Sequence, residues 1–368
     1  MSDVGHPSQF QQLKTQLPVS WYFEPKIFEL EKKHLFDAGP RYIGHELMVP
    51  NEGDYFTLPA FDHGKTLIRN HNGVELISNV CRHRQALILE GKGNTKNLVC
   101  PIHRWTYDIE GKLLGAPQFP TSPCLNLPKT SLQPWHGLLF TGNHNIAADL
   151  AKLGVINDID FSGYMFDRVM VEEYPDLNWK TFLEVYLEDY HVEPFHPGLS
   201  NFVDCEQLKW ESDANYSVQT VGLNRGLKKA GTPVYEKWHE VLLRYNNGNT
   251  PTKGAIWLLY YPNIMIEWYP NVLVVSTLIT HQARHTTNIV EFYYPEEIVL
   301  FEREFVEAHQ AAYVETARED EVICRRMDRG RQVLYREGLN DGGPYQSPME
   351  DGMIYLHEYV RRGIEAHL

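Results

Sequence analysis

The chain has 368 residues and a formal net charge of −14 at pH 7, a length that predicts about two domains. The negative charge argues against a nucleic-acid partner, because phosphate binding needs clustered Lys and Arg side chains. No apolar run resembles a signal peptide or a membrane span, and the five cysteines suggest no disulfide framework. We therefore expect a cytoplasmic protein without a membrane segment.

The predicted elements divide the chain into three parts. Residues 1–38 form an N-terminal segment, polar and mobile over 1–18, with an amphipathic helix at 27–36 that is expected to pack on the C-terminal part. Residues 39–150 contain short β-rich runs between Gly, Asn, Pro and Asp turns, which predicts a small antiparallel β domain. The larger domain, 151–368, is expected to combine a helix at 178–190, antiparallel strands between 213 and 294, and helices at 296–336 and 353–364. The fold class is therefore α+β.

Two short Cys/His arms lie at predicted loop tips of the β domain: Cys81-x-His83 and Cys100-x2-His103. Thiolates and imidazoles suit iron, zinc and copper. A structural zinc site usually spaces the members of an arm by two to four residues, because all ligands converge on one ion. The tight first arm is better explained if the cysteine and the histidine reach different irons of a two-iron cluster. The pattern predicts a Rieske [2Fe-2S] centre, with zinc as the main alternative.

A second constellation follows the helix predicted at 178–190. His191 and His196 lie five positions apart, which on an ideal helix would place them on different sides. Pro194 is expected to disrupt the helix after His191, so that His196 turns back toward it. With one carboxylate, these histidines would form the facial triad of non-haem iron(II) oxygenases. The alternative is a pair of surface histidines near a helix C-terminus.

Two acidic residues compete to complete this triad. Glu188 lies three residues before His191, close enough for contact on one helix face. Asp320 lies far away in the sequence, on the predicted helix at 296–336, where its neighbours at helical spacing are mostly apolar. Asp320 is therefore expected to point inward, and an iron would be a suitable partner for a buried carboxylate. The alternative is a solvated acid at the edge of the apolar stripe. The acidic neighbours expected to point outward are Glu315, Glu319 and Glu321.

Together these motifs resemble the α (terminal oxygenase) subunit of the Rieske non-haem iron oxygenases. The resemblance covers nearly the whole chain, including the NWK sequence at Asn178, the E-D-Y-H-x4-H block and the Glu319-Asp320 pair. It implies a catalytic domain of the helix-grip, START-like type. It also implies a cluster and a mononuclear iron with these ligands: Cys81, His83, Cys100 and His103 for the [2Fe-2S] cluster, and His191, His196 and Asp320 for the Fe(II).

The resemblance gives Glu188 a further role, as a bridge between His103 of one subunit and an iron-bound histidine of the next in a head-to-tail homotrimer. This position is more often Asp in the family. A Glu there resembles the members that oxidise quaternary ammonium compounds such as choline and carnitine. Glu184, one turn earlier, would repel Glu188 if both were ionised, so we expect hydrogen bonding or a neighbouring metal charge to compensate.

The implied activity is that of a terminal oxygenase that uses O2 and external electrons to hydroxylate a small organic substrate, on an aromatic ring, a side chain or an N- or O-alkyl group. A quaternary ammonium monooxygenase is the alternative. The glycine-rich turn at Gly91 lacks the context of a dinucleotide site. We therefore expect a separate flavin and iron–sulfur reductase, or a ferredoxin, to deliver electrons from NAD(P)H. A Rieske electron carrier and a zinc-stabilised binding module are rivals from other classes. The aromatic segment 257–269 is expected to line or back the substrate pocket.

Overall fold

The computed structural model describes residues 16–155, 159, 162–340 and 342–368. They form two compact units. Of the described residues, one unit contains those within 38–170 and 291–296, and the other contains those up to Asp37 and within 171–290 and 297–368. Most of the segment predicted to be mobile lies outside the described residues. In the part of the chain described here, no helix is both long and apolar enough to cross a membrane.

The first helix, α1 (Pro25–Glu31), lies where the sequence predicts one and continues as a π-helical turn, Lys32–Phe36. Pro25 occupies the first turn, where a missing N–H breaks no intrahelical bond. The apolar face of α1 is buried, with Ile27 and Leu35 at 2% and 1% exposure, and it contributes to the main core of its unit.

The unit of residues 38–170 and 291–296 contains three small antiparallel sheets, with strand orders β1-β11-β10, β5-β2-β3-β4-β9 and β6-β7-β8. Its core packs Trp105 and Tyr107 with the buried Cys81 and Cys100, so the two Cys/His arms lie on a hydrophobic support. The short elements are β1 (Arg41–His45), β2 (Asp54–Thr57), β3 (Lys65–Asn70), β4 (Gly73–Ser78), β5 (Lys92–Asn94), β6 (Asn97–Val99), β7 (Thr106–Asp108), β8 (Leu113–Gly115), β9 (Lys129–Thr130), β10 (Gln133–Trp135), β11 (Leu138–Thr141) and α2 (Ile146–Asp149).

The second sheet system has seven strands in the order β12-β18-β17-β16-β15-β14-β13. Two of these strands, β12 (Tyr164–Tyr174) and β13 (Val203–Asp213), were not predicted, because they lie at the sheet edges and mix exposed with partly buried residues without a regular alternation. The predicted α+β class is confirmed. The strands are β12 (Tyr164–Tyr174), β13 (Val203–Asp213), β14 (Tyr216–Leu223), β15 (Ala255–Tyr260), β16 (Ile264–Tyr269), β17 (Val272–Gln282) and β18 (His285–Pro295).

Helices surround this sheet and carry the candidate site. The long helix predicted at 296–336 is interrupted at Glu302, whose backbone is not helical, with φ −121° and ψ 53°. The helix α6 was not predicted. The helices are α3 (Trp179–Tyr186), α4 (Val192–Phe195), α5 (Leu199–Phe202), α6 (Pro233–Tyr245), α7 (Glu296–Phe301), α8 (Arg303–Glu337) and α9 (Asp351–Ile364).

The prediction that Pro194 breaks the helix after His191 is wrong. The helix α3 already ends at Tyr186, and the N–H of Asp189 donates to the carbonyl of Met349 at 3.0 Å instead of continuing the helix. Pro194 lies inside α4, a single turn that begins at Val192. A proline is tolerated there because the N–H groups of a first turn have no intrahelical partner. The helix α3 therefore ends before His191, and the single turn of α4 connects His191 to His196.

Candidate metal centres and the adjacent pocket

The two Cys/His arms form loops of matching backbone geometry. In each loop the cysteine N–H donates to the carbonyl five positions later at 2.8 Å, and the cysteine carbonyl accepts from the N–H four positions later at 3.1 Å. The donors of that second bond, Gln85 and Arg104, both have left-handed backbones, with φ 55° and 58°. The backbones of the Cys81 and Cys100 loops therefore match, although the histidine follows its cysteine by two positions in the first arm and by three in the second.

The histidines of these loops lie side by side. The ring centroids of His83 and His103 are 4.6 Å apart, and His83 stacks on Trp105 at 5.0 Å with nearly parallel planes. The Nδ1 atom of His83 is buried without a hydrogen-bond partner among the described residues. Such an orphaned nitrogen beside two buried thiols, Cys81 and Cys100, suits a bound metal cluster. His103 is exposed.

The second constellation converges on one point. The Nε2 atoms of His191 and His196 are 2.9 Å apart, and Oδ1 of Asp320 lies 3.3 Å from the first and 2.9 Å from the second. Three atoms that share one face of an octahedron, each about 2.1 Å from the ion, would be about 3 Å apart. The three side chains would therefore suit one metal ion.

Each of these imidazoles is oriented by a second carboxylate. Nδ1 of His191 donates to Glu188 at 2.5 Å, and Nδ1 of His196 donates to Glu319 at 2.6 Å. These bonds direct both Nε2 atoms toward the common point, as is usual for metal-binding histidines. Glu319 was expected to point outward, and this expectation is wrong. Its long side chain bends toward His196, a contact that spacing along α8 does not reveal.

The charge of these acids makes the site attractive to a cation. Burial alone would lower the pKa of His191, but hydrogen bonds and charges from Asp320 and Glu188 raise it to about 10. Burial would likewise raise the pKa of Asp320, and the two histidines lower it below its ordinary value. The arrangement therefore favours positive charge at the point where the three side chains meet.

A cavity of about 120 Å³ adjoins these three side chains. Helices α3, α4, α5, α6 and α8 contribute to its walls, and the sheet contributes its floor. From the predicted aromatic segment, Trp257 and Tyr269 line the cavity, whereas Tyr260, Tyr261 and Trp268 do not. The aromatic segment therefore both lines the pocket and backs it, because alternate residues of a strand face opposite sides of the sheet.

The floor of the cavity contains a buried acid that the sequence reading overlooked. Glu267 is 4% exposed, and its Oε2 accepts a hydrogen bond from the Tyr269 hydroxyl at 2.8 Å. That hydroxyl accepts in turn from Nε1–H of Trp257 at 2.9 Å. Burial raises the pKa of Glu267 to about 7, with the Tyr269 hydrogen bond opposing the shift and the Asp320 charge adding to it. The sequence feature that could have identified Glu267 is its position as a single charged residue within the strand sequence IMIEWY.

Glu184, for which compensation was expected, is held by a separate network. Oε2 forms an ion pair with Arg331 at 2.6 Å, and Oε1 accepts hydrogen bonds from His357 at 2.8 Å and from the Tyr22 hydroxyl. Burial alone would raise the pKa of Glu184, but Arg331 and these hydrogen bonds lower it to about 2. Hydrogen bonding and a side-chain cation thus stabilise this carboxylate.

Two family models match the chain. Residues 41–129 match the model described as "Rieske [2Fe-2S] domain", and residues 166–366 match "Ring hydroxylating alpha subunit (catalytic domain)". The second match covers more than half of the chain. The chain belongs to the Rieske oxygenases. As an α subunit of this family, the oxygenase uses a Rieske [2Fe-2S] cluster and a mononuclear iron, and its catalytic domain distinguishes it from an electron carrier.

Relatives of this oxygenase are similar along its whole length. A putrescine 2-hydroxylase of Ralstonia nicotianae is 60% identical, with 98% of this chain and 99% of the relative covered. A putrescine 2-hydroxylase of Bordetella bronchiseptica is 52% identical, with 98% and 87% covered. The solved structure of a quaternary ammonium Rieske monooxygenase shares the fold, with a TM-score of 0.73 and 20% identity over 95% of this chain and 96% of that one. The enzyme is thus an oxidoreductase that hydroxylates a small substrate.

Proposed function

We propose that this oxygenase hydroxylates a carbon atom of a short aliphatic diamine such as putrescine. The observation that carries the proposal is the charge of the cavity beside His191, His196 and Asp320. Among the described residues, its lining contains further carboxylates, those of Glu188, Asp189 and Glu267, and no Lys or Arg. An aliphatic diamine carries two positive charges at neutral pH, because alkylammonium groups have pKa values near that of Lys, about 10. The two putrescine 2-hydroxylases similar to this chain support the same substrate class.

We assign a proposed role to each group of residues. His191, His196 and Asp320 would hold the iron, which supplies oxygen activation for attack on a C–H bond. Glu188 and Glu319 keep the two imidazoles in the tautomer with Nε2 free to bind metal. The aromatic walls keep bulk water from the reacting carbon. The cluster ligands would be Cys81, His83, Cys100 and His103.

Electron entry is proposed to cross a subunit boundary. Glu188 already holds His191 on one side, and His103 is exposed on its own unit, with Ile102 beside it 56% exposed. An exposed histidine next to a large exposed apolar side chain suits an interface. We propose a homotrimer in which His103 of one subunit contacts Glu188 of the next, with a flavin and iron–sulfur reductase or a ferredoxin as the electron donor.

The bridge can be tested without disturbing the metals. Glu188→Gln should retain the cluster spectrum and the iron content, because the Gln side-chain oxygen can still accept the hydrogen bond from Nδ1–H of His191. Single-turnover experiments should show slower electron transfer from the reduced cluster. Unchanged turnover in this variant, with intact trimers, would rule out the bridge.

The substrate class is tested by coupled turnover. The iron-loaded protein, supplied with a surrogate reductase and NADH, should consume O2 when butane-1,4-diamine is added and yield a product heavier by one oxygen atom. Asp320→Ala should lose iron and product while keeping the cluster spectrum. Choline and butan-1-amine serve as comparison substrates. Peroxide formation without a hydroxylated diamine, together with coupled choline turnover, would favour the quaternary ammonium alternative.

A further inference from the structure

We infer that the sheet floor of the cavity is a binding subsite for one primary ammonium group of the substrate, with the Glu267 carboxylate as its counter-ion and Gln219 as a second acceptor. This inference rests on the proposed function and deepens it. It makes Glu267 a determinant of substrate specificity that is separate from the metal ligands.

The sheet register places the required groups side by side. Gln219 on β14 is paired with Trp257 on β15, and Trp257 is paired with Glu267 on β16. Directly paired residues of antiparallel strands project from the same face, about 5 Å apart from one strand to the next. All three side chains line the cavity. The row therefore presents an acid and an amide across one aromatic side chain.

The described side chains that interact with Glu267 include no cation. Among the described residues, the charges and hydrogen bonds that shift its pKa come from Tyr269 and Asp320, and neither is positive. Elsewhere in the same unit, the buried acid Glu31 has Lys180 at 2.6 Å. A buried carboxylate without a cation is unfavourable. A substrate ammonium would supply the positive partner and would then be desolvated against Trp257 and Tyr269, whose rings attract cations.

The neighbouring polar atoms favour a primary ammonium over a quaternary one. Gln219 donates from Nε2 to the Tyr186 carbonyl at 3.0 Å, which fixes the amide and leaves its buried Oε1 without a partner among the described residues. Oδ1 of Asn288, also on the cavity wall, has no partner either within the described chain. A primary ammonium brings three N–H donors and no acceptor. A trimethylammonium group has no donor, and it would leave these acceptors unsatisfied.

The test compares two buried glutamates in the full-length, iron-loaded protein. Glu267→Gln removes the charge and keeps the size of the side chain. Glu291→Gln is the matched control, because Glu291 is also buried, accepts from Tyr42 at 2.6 Å and Tyr293 at 2.8 Å, and does not line the cavity. Anaerobic calorimetry would measure the Kd of butane-1,4-diamine, and steady-state O2 uptake would separate KM from kcat.

For Glu267→Gln we expect a Kd and a KM raised about tenfold or more, which is the scale of one charged hydrogen bond, and a smaller change in kcat. Glu291→Gln should match the wild type. Glu267→Asp retains the charge and should retain more affinity than the Gln variant. It also provides the test if the Gln variant fails to fold, and equal diamine affinity in Glu267→Asp and Glu267→Ala would then overturn the inference.

Two negative results have different meanings. If the wild type binds and hydroxylates the diamine and Glu267→Gln does so equally well, the subsite is refuted and the proposed function stands. If the wild type itself fails with the diamine and hydroxylates choline, the proposed function is refuted and the ammonium subsite with it. The wild-type measurement alone distinguishes the two cases.

Discussion

Glu184 and Glu267 are two buried acids of one unit with opposite electrostatic properties. Glu184 has Arg331 as an ion-pair partner at 2.6 Å, and its pKa is lowered to about 2 despite burial. Glu267 has a tyrosine hydroxyl and no cation among the described residues, and burial raises its pKa to about 7. A buried acid that is paired with a cationic side chain thus stabilises the fold. A buried acid on a cavity wall that has no such partner is available to bind a cationic ligand.

The largest expected difference between these two acids is in the free energy of unfolding, which should fall most when Glu184 is replaced. Glu184→Gln should lower the free energy of unfolding by about 3–5 kcal/mol, because it leaves the Arg331 charge buried and unpaired. Chemical denaturation near pH 7 would measure the change. If Glu184→Gln were no less stable than Glu267→Gln, the distinction between a structural and a ligand-binding acid would fail.

Acid titration should show the same difference. Because the folded-state pKa of Glu184 is lowered from 4.5 to about 2, its stabilisation is present above pH 4.5 and is lost as the pH falls toward 2. The amount is about 3 kcal/mol. The stability difference between the wild type and Glu184→Gln should therefore shrink across this range. A difference independent of pH would contradict the assignment of the ion pair.

At Glu267 the pH dependence of stability has the opposite sign. Its folded-state pKa is raised from 4.5 to about 7, so its contribution to stability is favourable below pH 4.5 and is lost as the pH rises through 7. Glu267→Gln should then be more stable than the wild type at pH 8, by about 3 kcal/mol. Thermal denaturation without substrate at pH 5 and pH 8 would measure this. A variant destabilised equally at both pH values would indicate a packing role for Glu267.

The smallest expected effect concerns diamine binding. Only the ionised form of Glu267 attracts an ammonium group, so the Kd of butane-1,4-diamine should rise as the pH falls below 7, by up to about tenfold per pH unit at first, and level off at the Kd of Glu267→Gln. The diamine itself stays fully charged in this range. Glu267→Gln should bind weakly and with a shallower pH dependence between pH 5 and 8, because Asp189, whose pKa burial raises to about 7, still lines the cavity. A wild-type pH profile no steeper than that of the variant would remove Glu267 from the subsite.

Several features could be predicted because their residues lie close together in the sequence. The spacing within Cys81–His83 and Cys100–His103 predicted a two-iron cluster, and the Rieske domain is confirmed. The block from Glu188 to His196 predicted that its histidines meet, which the structure shows, although α3 already ends at Tyr186 and Pro194 lies inside the short helix α4. Asp320 could be placed inward because its helical neighbours are apolar, whereas Glu319 could not be placed by that rule.

The sequence alone therefore specifies the chemistry of the ligands, since the spacing of residues within a motif indicates which thiolates, imidazoles and carboxylates lie close together in the fold. The tertiary structure was needed to show which buried acid has a cation. Arg331 reaches Glu184 from a distant helix, α8, and no such side chain reaches Glu267 in the part of the chain that the structure describes. The physical reason is that strand register and helix rotation determine these contacts, while composition along one strand or helix leaves both undetermined.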